Sequence, residues 1–267
     1  MNFVTIRKNK VKLSSIIIAR DEEQNISRCI ESQLNIIDDI LVLVDSRTKD
    51  NTYQIVTSYP DVRSEIVEWK GFGPTKNYAI SKTKYEWVLW IDADEELSKE
   101  LANDLLSFKN STPEFNSYFI PRKSYFLGKW IKHCGWYPDY VLRLFNKNFS
   151  YISENPVHEK LIVKGESGYL QHPLIHYTYP DITHYLNKLN NYTSLAAEEI
   201  IKNNKKVTLI DILLRPAFIF IKMYILKLGF LDGLHGLILS LYSSFYVFTK
   251  YCKVWEIKKS GRNLKEE

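Results

Sequence analysis

The stretch WVLWIDADEEL, residues 87–97, decides how the rest of the chain is read. Trp87-Val88-Leu89-Trp90-Ile91 is a short apolar run of strand-forming residues, expected as a buried β-strand. It runs directly into Asp92-Ala93-Asp94, followed by Glu95, Glu96 and then Ser98 as a candidate helix cap. Two carboxylates one residue apart at a strand end suit a divalent cation that also bridges a diphosphate, and hard oxygen ligands favour Mg²⁺ or Mn²⁺. An Asp-X-Asp without context describes a solvated acidic turn just as well. The strand before it and the helix start after it separate the two readings.

Outward from that stretch, residues 13–19 (LSSIIIA), 40–44 (ILVLV) and 65–69 read as further buried strands. Helical patterns lie between them at 23–34, 51–58 and 74–81, the last with Pro74 in a first-turn position after Gly73. This alternation predicts an α/β fold, a Rossmann-like, mostly parallel sheet flanked by helices. Such sheets bind ligands outside the carboxyl ends of their strands. Polar residues cluster there: Arg20-Asp21-Glu22 after the first strand, Asp45-Ser46 after the second and Asp92-Ala93-Asp94 after the fourth. From 117 to 179 the pattern changes to short strands (118–121, 141–145, 161–163) between aromatic, Gly- and Pro-bearing loops. That is expected as a mixed-sheet acceptor half. Beyond Asp181 the chain turns helical.

The 267 residues allow one α/β domain with an appendage. With 45% hydrophobic and 25% charged residues, the composition excludes a disordered chain. The aromatic share of 14% fits sugar-stacking surfaces, a membrane interface or an aromatic core. A net charge of +5 fits nucleic acid, anionic lipid or a phosphorylated substrate alike. Cys29, Cys134 and Cys252 lie far apart, which argues against a zinc ribbon or disulfide framework and for a reducing compartment. The opening residues carry no basic-then-apolar signal pattern, so a cytoplasmic location is expected.

Each candidate residue has a plainer alternative. Asp45 can accept a hydrogen bond from a nucleotide base or ribose hydroxyl, while Asp50 or Asn51 caps the next helix. Lys76 and Asn77 on a first helical turn would face donor phosphate or base, or else Lys76 is a surface lysine. Arg20-Asp21-Glu22-Glu23 also reads as a charged helix start. In Val157-His158-Glu159, either side chain could serve acid–base chemistry, His158 could instead be a metal ligand, and the pair could be structural. Asp139 competes for the same basic role. Arg143 would meet a phosphate or sit at a strand edge.

LSSIIIARDEEQNI, VDSRTKDNT, GFGPTKNYAI, WVLWIDADEEL, WYPDYVLRLF and NPVHE, in this order, resemble family 2 glycosyltransferases of the GT-A fold. Within that family they look most like the lipopolysaccharide core β-glucosyltransferase group, the WaaE/KdtX-like proteins. The likeness covers about 13–159 and continues less specifically to about 255. It implies an inverting transfer from a nucleotide-sugar, usually a UDP-hexose, by one in-line displacement. Donor contacts would fall on Ala19, Arg20, Glu22, Asp45, Arg47, Lys76, Asn77, Asp92 and Ala93. A Mg²⁺ or Mn²⁺ ion would sit at Asp94 with His158, and Glu159 would be the base, ahead of Asp139. The acceptor would be lipid-linked or a lipopolysaccharide or other cell-envelope glycan. The catalytic domain would be 1–180, with a donor half at 12–105 and an acceptor half at 106–180. Two departures bear on the donor. Arg20-Asp21-Glu22 stands where Asn-Glu is usual, and Arg47 replaces a small residue or Ser.

The region 181–267 is expected as a helical extension. Its apolar stretches at 209–228 and 231–254 are interrupted by Asp211, Arg215, Lys222, Asp232 and His235, so neither reads cleanly as a spanning helix. Pro216 and the 229–236 region suggest breaks. Aromatic and apolar residues beside Lys222, Lys227, Lys250 and Lys253 suit helices lying on the inner face of the cell membrane. A helical cap or the interface of a homo-oligomer are the alternatives. Nucleic acid is not the expected partner, because the basic residues interleave with an apolar stripe. A nucleotidyltransferase-like enzyme would want a glycine- and lysine-rich loop where ARDEEQN stands. A non-catalytic membrane-binding module leaves the acidic strand ends without purpose.

Overall fold

A computed structural model describes residues 10–153 and 160–260. They fall into two compact units, Met1–Arg122 with Tyr140–His176 and Lys123–Asp139 with Tyr177–Glu267.

The first unit opens with β1 (Leu13–Ala19), α1 (Ile26–Glu31), β2 (Asp39–Asp45), α2 (Thr52–Thr57), β3 (Val62–Val67), α3 (Phe72–Lys82) and β4 (Trp87–Trp90). These strands are parallel in the order β3-β2-β1-β4. Side-chain alternation explains why the runs are apolar on both faces. Leu13 and Ile17 of β1, Val42 and Val44 of β2 and Leu89 of β4 share a core with Ile26 and Ile30 of α1. Their neighbours Ile16, Leu41, Leu43 and Val88 point the other way, into a second core with Ala79 and Ile80 of α3. After β5 (Glu95–Leu97), α4 (Lys99–Lys109) adds Leu101, Leu105 and Phe108 to the first core. The Ser98 side chain caps α4 by accepting from the Leu101 N–H at 3.1 Å, as its position suggested.

In chain order there follow β6 (Ser117–Phe126), β7 (Lys129–Trp130), β8 (Asp139–Asn146), β9 (Ser150–Ile152), β10 (Leu161–Val163), β11 (Ser167–Tyr169) and β12 (Leu174–Tyr179). Beyond β4 the pairing is mixed, antiparallel for β4–β8, β12–β5 and β6–β7 and parallel for β11–β6. Strand β8 pairs antiparallel with β4, and β6, β12 and β5 continue the order. Antiparallel pairing of β12 with β5 sets His176 opposite Glu95. This is the α/β architecture expected, a sheet flanked by helices, with a helical C-terminal extension. One strand moved: β3 spans 62–67 rather than 65–69, because Val62 through Val67 pair in register with Ile40 through Asp45.

The second unit is mainly helical: α5 (Ile182–Lys202), α6 (Leu209–Ile221) and α7 (Leu234–Ser260). Asp181 caps α5 through the His184 N–H at 2.7 Å. Pro216 does not break its helix, contrary to the expectation. It lies buried inside α6, and its carbonyl accepts from Ser244 of α7 at 2.8 Å. The interruption falls later, in a π-helical turn (Lys222–Leu226) and a 3₁₀ turn (Gly229–Asp232). There a Cβ on Gly236 would lie 1.9 Å from the Gly229 carbonyl oxygen, so only glycine fits at 236. Among the described residues, no helix is long and apolar enough to cross a membrane.

Asp39 ties the parallel strands together. Its carboxylate accepts from Arg63 Nε at 2.8 Å and Nη2 at 3.0 Å, from Ser14 Oγ at 2.7 Å and from the Lys84 N–H at 2.9 Å. Burial alone would raise its pKa, but Arg63 and the other donors hold it below the usual carboxylate value. Asp39→Asn should cost about 2 kcal/mol at neutral pH in urea unfolding. In the native chain that contribution is full above about pH 4. It should fade as the pH falls through the lowered folded value.

Candidate active site

The site is built where β1, β2 and β4 end, all within the first unit. Carboxylate-to-amide bonds lace the loop after β1 to the loop after β2. Asp21 accepts from the Lys49 N–H at 2.7 Å, and Asp50 accepts from the Glu23 N–H at 2.9 Å. Asp50 also accepts from the Thr52 N–H at 3.0 Å, so it, rather than the Asn51 side chain, caps α2. Ala19 ends β1 buried, Arg20 stands exposed 3.5 Å from Asp21, and the Glu22 carboxylate accepts from Asn25 at 2.8 Å.

Asp45 closes β2 with its side chain only 2% exposed. Arg47 folds back onto it: the backbone N–H reaches Oδ1 at 2.9 Å, Nε the same oxygen at 3.0 Å and Nη2 the other at 2.6 Å. These bonds, chiefly the side-chain ones, hold the Asp45 pKa below its ordinary value. The Arg47 guanidinium also lies 5.9 Å from the Trp69 ring. The bulky cation that marks a departure from the family pattern is therefore the partner of Asp45.

The acidic end of β4 surrounds one guanidinium. Arg143 on β8, its side chain 5% exposed, donates to both oxygens of Asp92 and to Glu95 Oε1 at 3.0 Å. Asp92 also accepts from the Trp90 indole N–H at 3.0 Å, and its own backbone N–H donates to Glu95 Oε2 at 3.0 Å. Arg122 stands 3.6 Å from Glu95. The Trp90 ring carries two cations, Lys76 Nζ at 3.8 Å and the Arg143 guanidinium carbon at 4.6 Å from its centroid. Burial would raise the Asp92 pKa, but the charge and hydrogen bonds of Arg143, with Lys76 and His176, bring it down to about 2. Glu95 goes the other way: burial, with the nearby Asp92 charge, outweighs Arg143 and pushes it up. Cys29, which donates to the Asp92 carbonyl at 3.5 Å, is also pushed well up by burial and the surrounding carboxylates.

Asp94, past the buried Ala93, points elsewhere. Its Oδ2 lies 3.4 Å from His176 Nε2 on β12. Asn77 is engaged with β9, donating to the Ile152 carbonyl at 3.0 Å and accepting from its N–H at 3.2 Å. Asp139 opens β8 and belongs to the second unit. His158 and Glu159 lie outside the described residues. Sequence reasoning missed His176, Glu95, Arg122 and the anchoring role of Arg143. For His176 the signal is non-local, since only the β12–β5 register brings LIHYTY beside the acidic strand end. Among the described residues, no group of three His, Cys, Asp or Glu side chains is placed to hold a metal.

The family model described as "Glycosyl transferase family 2" matches residues 14–162. An uncharacterized glycosyltransferase of Rickettsia typhi is 27% identical over 264 residues, covering 95% of this chain and 90% of its own. The lipopolysaccharide core biosynthesis glycosyltransferase LpsC of Rhizobium meliloti is 27% identical over 258 residues, covering 92% and 93%. Among solved structures, the mannosyltransferase PcManGT of Pyrobaculum calidifontis, in complex with GDP-Man and Mn²⁺, superposes with a TM-score of 0.49 at 11% identity, covering 95% and 88%.

Arg143 is the residue whose loss the site should feel most. Arg143→Gln leaves two neighbouring carboxylates without their buried counter-charge. It should destabilise the chain by about 3 kcal/mol, the low end for a broken buried pair because Asp92 is 41% open to solvent. Carboxyl NMR titration should show the Asp92 pKa climbing from about 2. In the native chain the Asp92 contribution is complete above the ordinary carboxylate range and disappears as pH falls through its lowered value. Unchanged stability together with an unchanged Asp92 titration would contradict this account.

Proposed function

The chain belongs to glycosyl transferase family 2, and on that premise we propose that it transfers a hexose from a UDP-sugar to a lipid-linked or lipopolysaccharide glycan. The family assignment sets aside the nucleotidyltransferase and non-catalytic readings. One observation carries the detailed proposal. Asp92, Asp94, His176, Lys76 and the Arg143 anchor gather at the carboxyl end of β4, beside the strands that end in Ala19 and Asp45.

In this reading 12–105 is the donor half, 106–180 the acceptor half, and 181–267 rests at the inner membrane surface. Asp45 and Arg47 meet the nucleoside, with Ala19, Arg20 and Glu22 on the same rim. Asp92, kept ionised by Arg143, faces the ribose beside Ala93. Lys76 supplies positive charge for the diphosphate, and Asn77 positions the helix that carries it. The residues fit a divalent cation: the Asp94 oxygen and the His176 nitrogen lie 3.4 Å apart and would be its protein donors. Mg²⁺ or Mn²⁺ would be held there, with His158 a further candidate. Bound there, it would supply Lewis-acid neutralisation of charge on the departing nucleoside diphosphate.

The reaction is one in-line displacement with inversion. The acceptor oxygen forms a bond to the anomeric carbon as the bond to the diphosphate oxygen breaks, and that oxygen keeps the electron pair. Glu159 takes the hydroxyl proton, with Asp139 the competing base. A truncated lipopolysaccharide core with a panel of UDP-hexoses and Mn²⁺ tests this through UDP release. Glu159→Gln should lower kcat by about 10²–10⁴-fold and leave donor affinity unchanged, while Asp139→Asn should have little effect. The reverse pattern would move the base to Asp139. Failure of every UDP-sugar to turn over would overturn the donor assignment.

A further inference from the structure

A second site lies in the helical unit. The end of α5, the segment after it, α6 and α7 enclose a cavity of about 340 Å³, at the lower end of the roughly 300–1,000 Å³ typical of small-molecule sites. Lys205, Lys206, Arg215 and Lys250 line it, against only two carboxylates, Glu199 and Asp211. Asp211 is already committed: it accepts from Thr208 N–H at 2.8 Å and Oγ1 at 2.9 Å and pairs with Arg215 at 2.5 Å. Tyr251 packs beneath two of the cations, 5.5 Å from the Arg215 guanidinium carbon and 4.8 Å from Lys250 Nζ. Like charges are thus crowded together in a partly enclosed place. Burial, then Arg215 and Lys205, lower the pKa of Lys250, with Glu199 opposing. A bound anion would relieve that crowding.

The same helix presents an apolar face to solvent. On α6, Leu209, Ile210, Leu213, Leu214, Phe218 and Ile221 are 49% to 73% exposed. At about 100° per residue they occupy one half of the helix circumference, with Asp211 about 20° and Arg215 about 60° past its edge. A bilayer offers an apolar layer and phosphate anions at just that boundary. A second copy of the chain, with net charge +5, would bring the same cations to the pocket. We propose that the cavity lined by Lys205, Lys206, Arg215 and Lys250 binds the phosphate of an anionic lipid headgroup while the apolar face of α6 lies in the membrane interface.

The inference rests on the membrane part of the proposed function and is tested apart from sugar transfer. Full-length protein is sedimented with phosphatidylcholine vesicles, with and without phosphatidylglycerol. The native chain should prefer the anionic vesicles. Each pocket charge removed should weaken binding about five-fold, so the Lys205→Gln/Lys250→Gln pair should lose about twenty-five-fold. Lys202→Gln/Lys259→Gln, equal in charge and also in the helical unit but outside the cavity, should lose far less. Lys250→Arg should bind as the native chain does, showing that charge rather than folding is at issue. Equal losses from the two double variants would overturn the pocket, and absence of vesicle binding would overturn the membrane premise. Calorimetric binding of inorganic phosphate without any preference for anionic vesicles would assign the pocket to a soluble phosphate and overturn the lipid. UDP release remains an independent readout, so each of these failures can be told from failure of the transferase reading.

Discussion

A single guanidinium, Arg143, sits buried against Asp92 and Glu95, and the acidic site is organised by that contact. Two carboxylates this close repel, and burying them costs more still. Arg143 resolves both difficulties from a strand that pairs directly with β4. The antiparallel β4–β8 pairing is therefore an electrostatic requirement as well as a packing one. Its consequence is a division of labour: Asp92 stays ionised with 41% of its side chain open, while Glu95 is buried and anchors the Asp92 backbone. Trp90 adds a surface on which Lys76 and Arg143 are both held close to that carboxylate.

Local pattern carried much of this fold. The apolar runs at 13–19 and 161–163 are strands with those bounds, and those at 40–44 and 87–91 are strands within a residue. Parallel strands buried on both faces have little choice but to be continuously apolar, so their sequence signal is strong. Asp92 and Asp94 were legible because they stand at such a strand's end. His176 was not, because its role depends on which strand lies opposite Glu95. Arg47, expected among the donor contacts, has its carboxylate partner two residues behind it, on Asp45. Pro216 shows the limit of a local rule: tertiary support from α7 keeps a helix going where propensity alone would end it.

The two units divide the work by the kind of surface each presents. The first gathers charge at strand ends, suited to a nucleoside diphosphate. The second exposes apolar helix faces and a cationic cavity, suited to an interface. The proposed transfer to a lipid-linked glycan would draw on both kinds of surface, with the C-terminal helices as the proposed membrane-facing part.

The central claim is that the acidic end of β4 binds a nucleoside diphosphate together with a divalent cation. Calorimetry of UDP binding with and without Mn²⁺, beside ADP, GDP and CMP, on the native chain and on Asp94→Ala, tests it most directly. The account predicts metal-dependent binding that prefers UDP in the native chain and is lost in the variant. Binding that is equally tight without Mn²⁺, or that survives in Asp94→Ala, would contradict it.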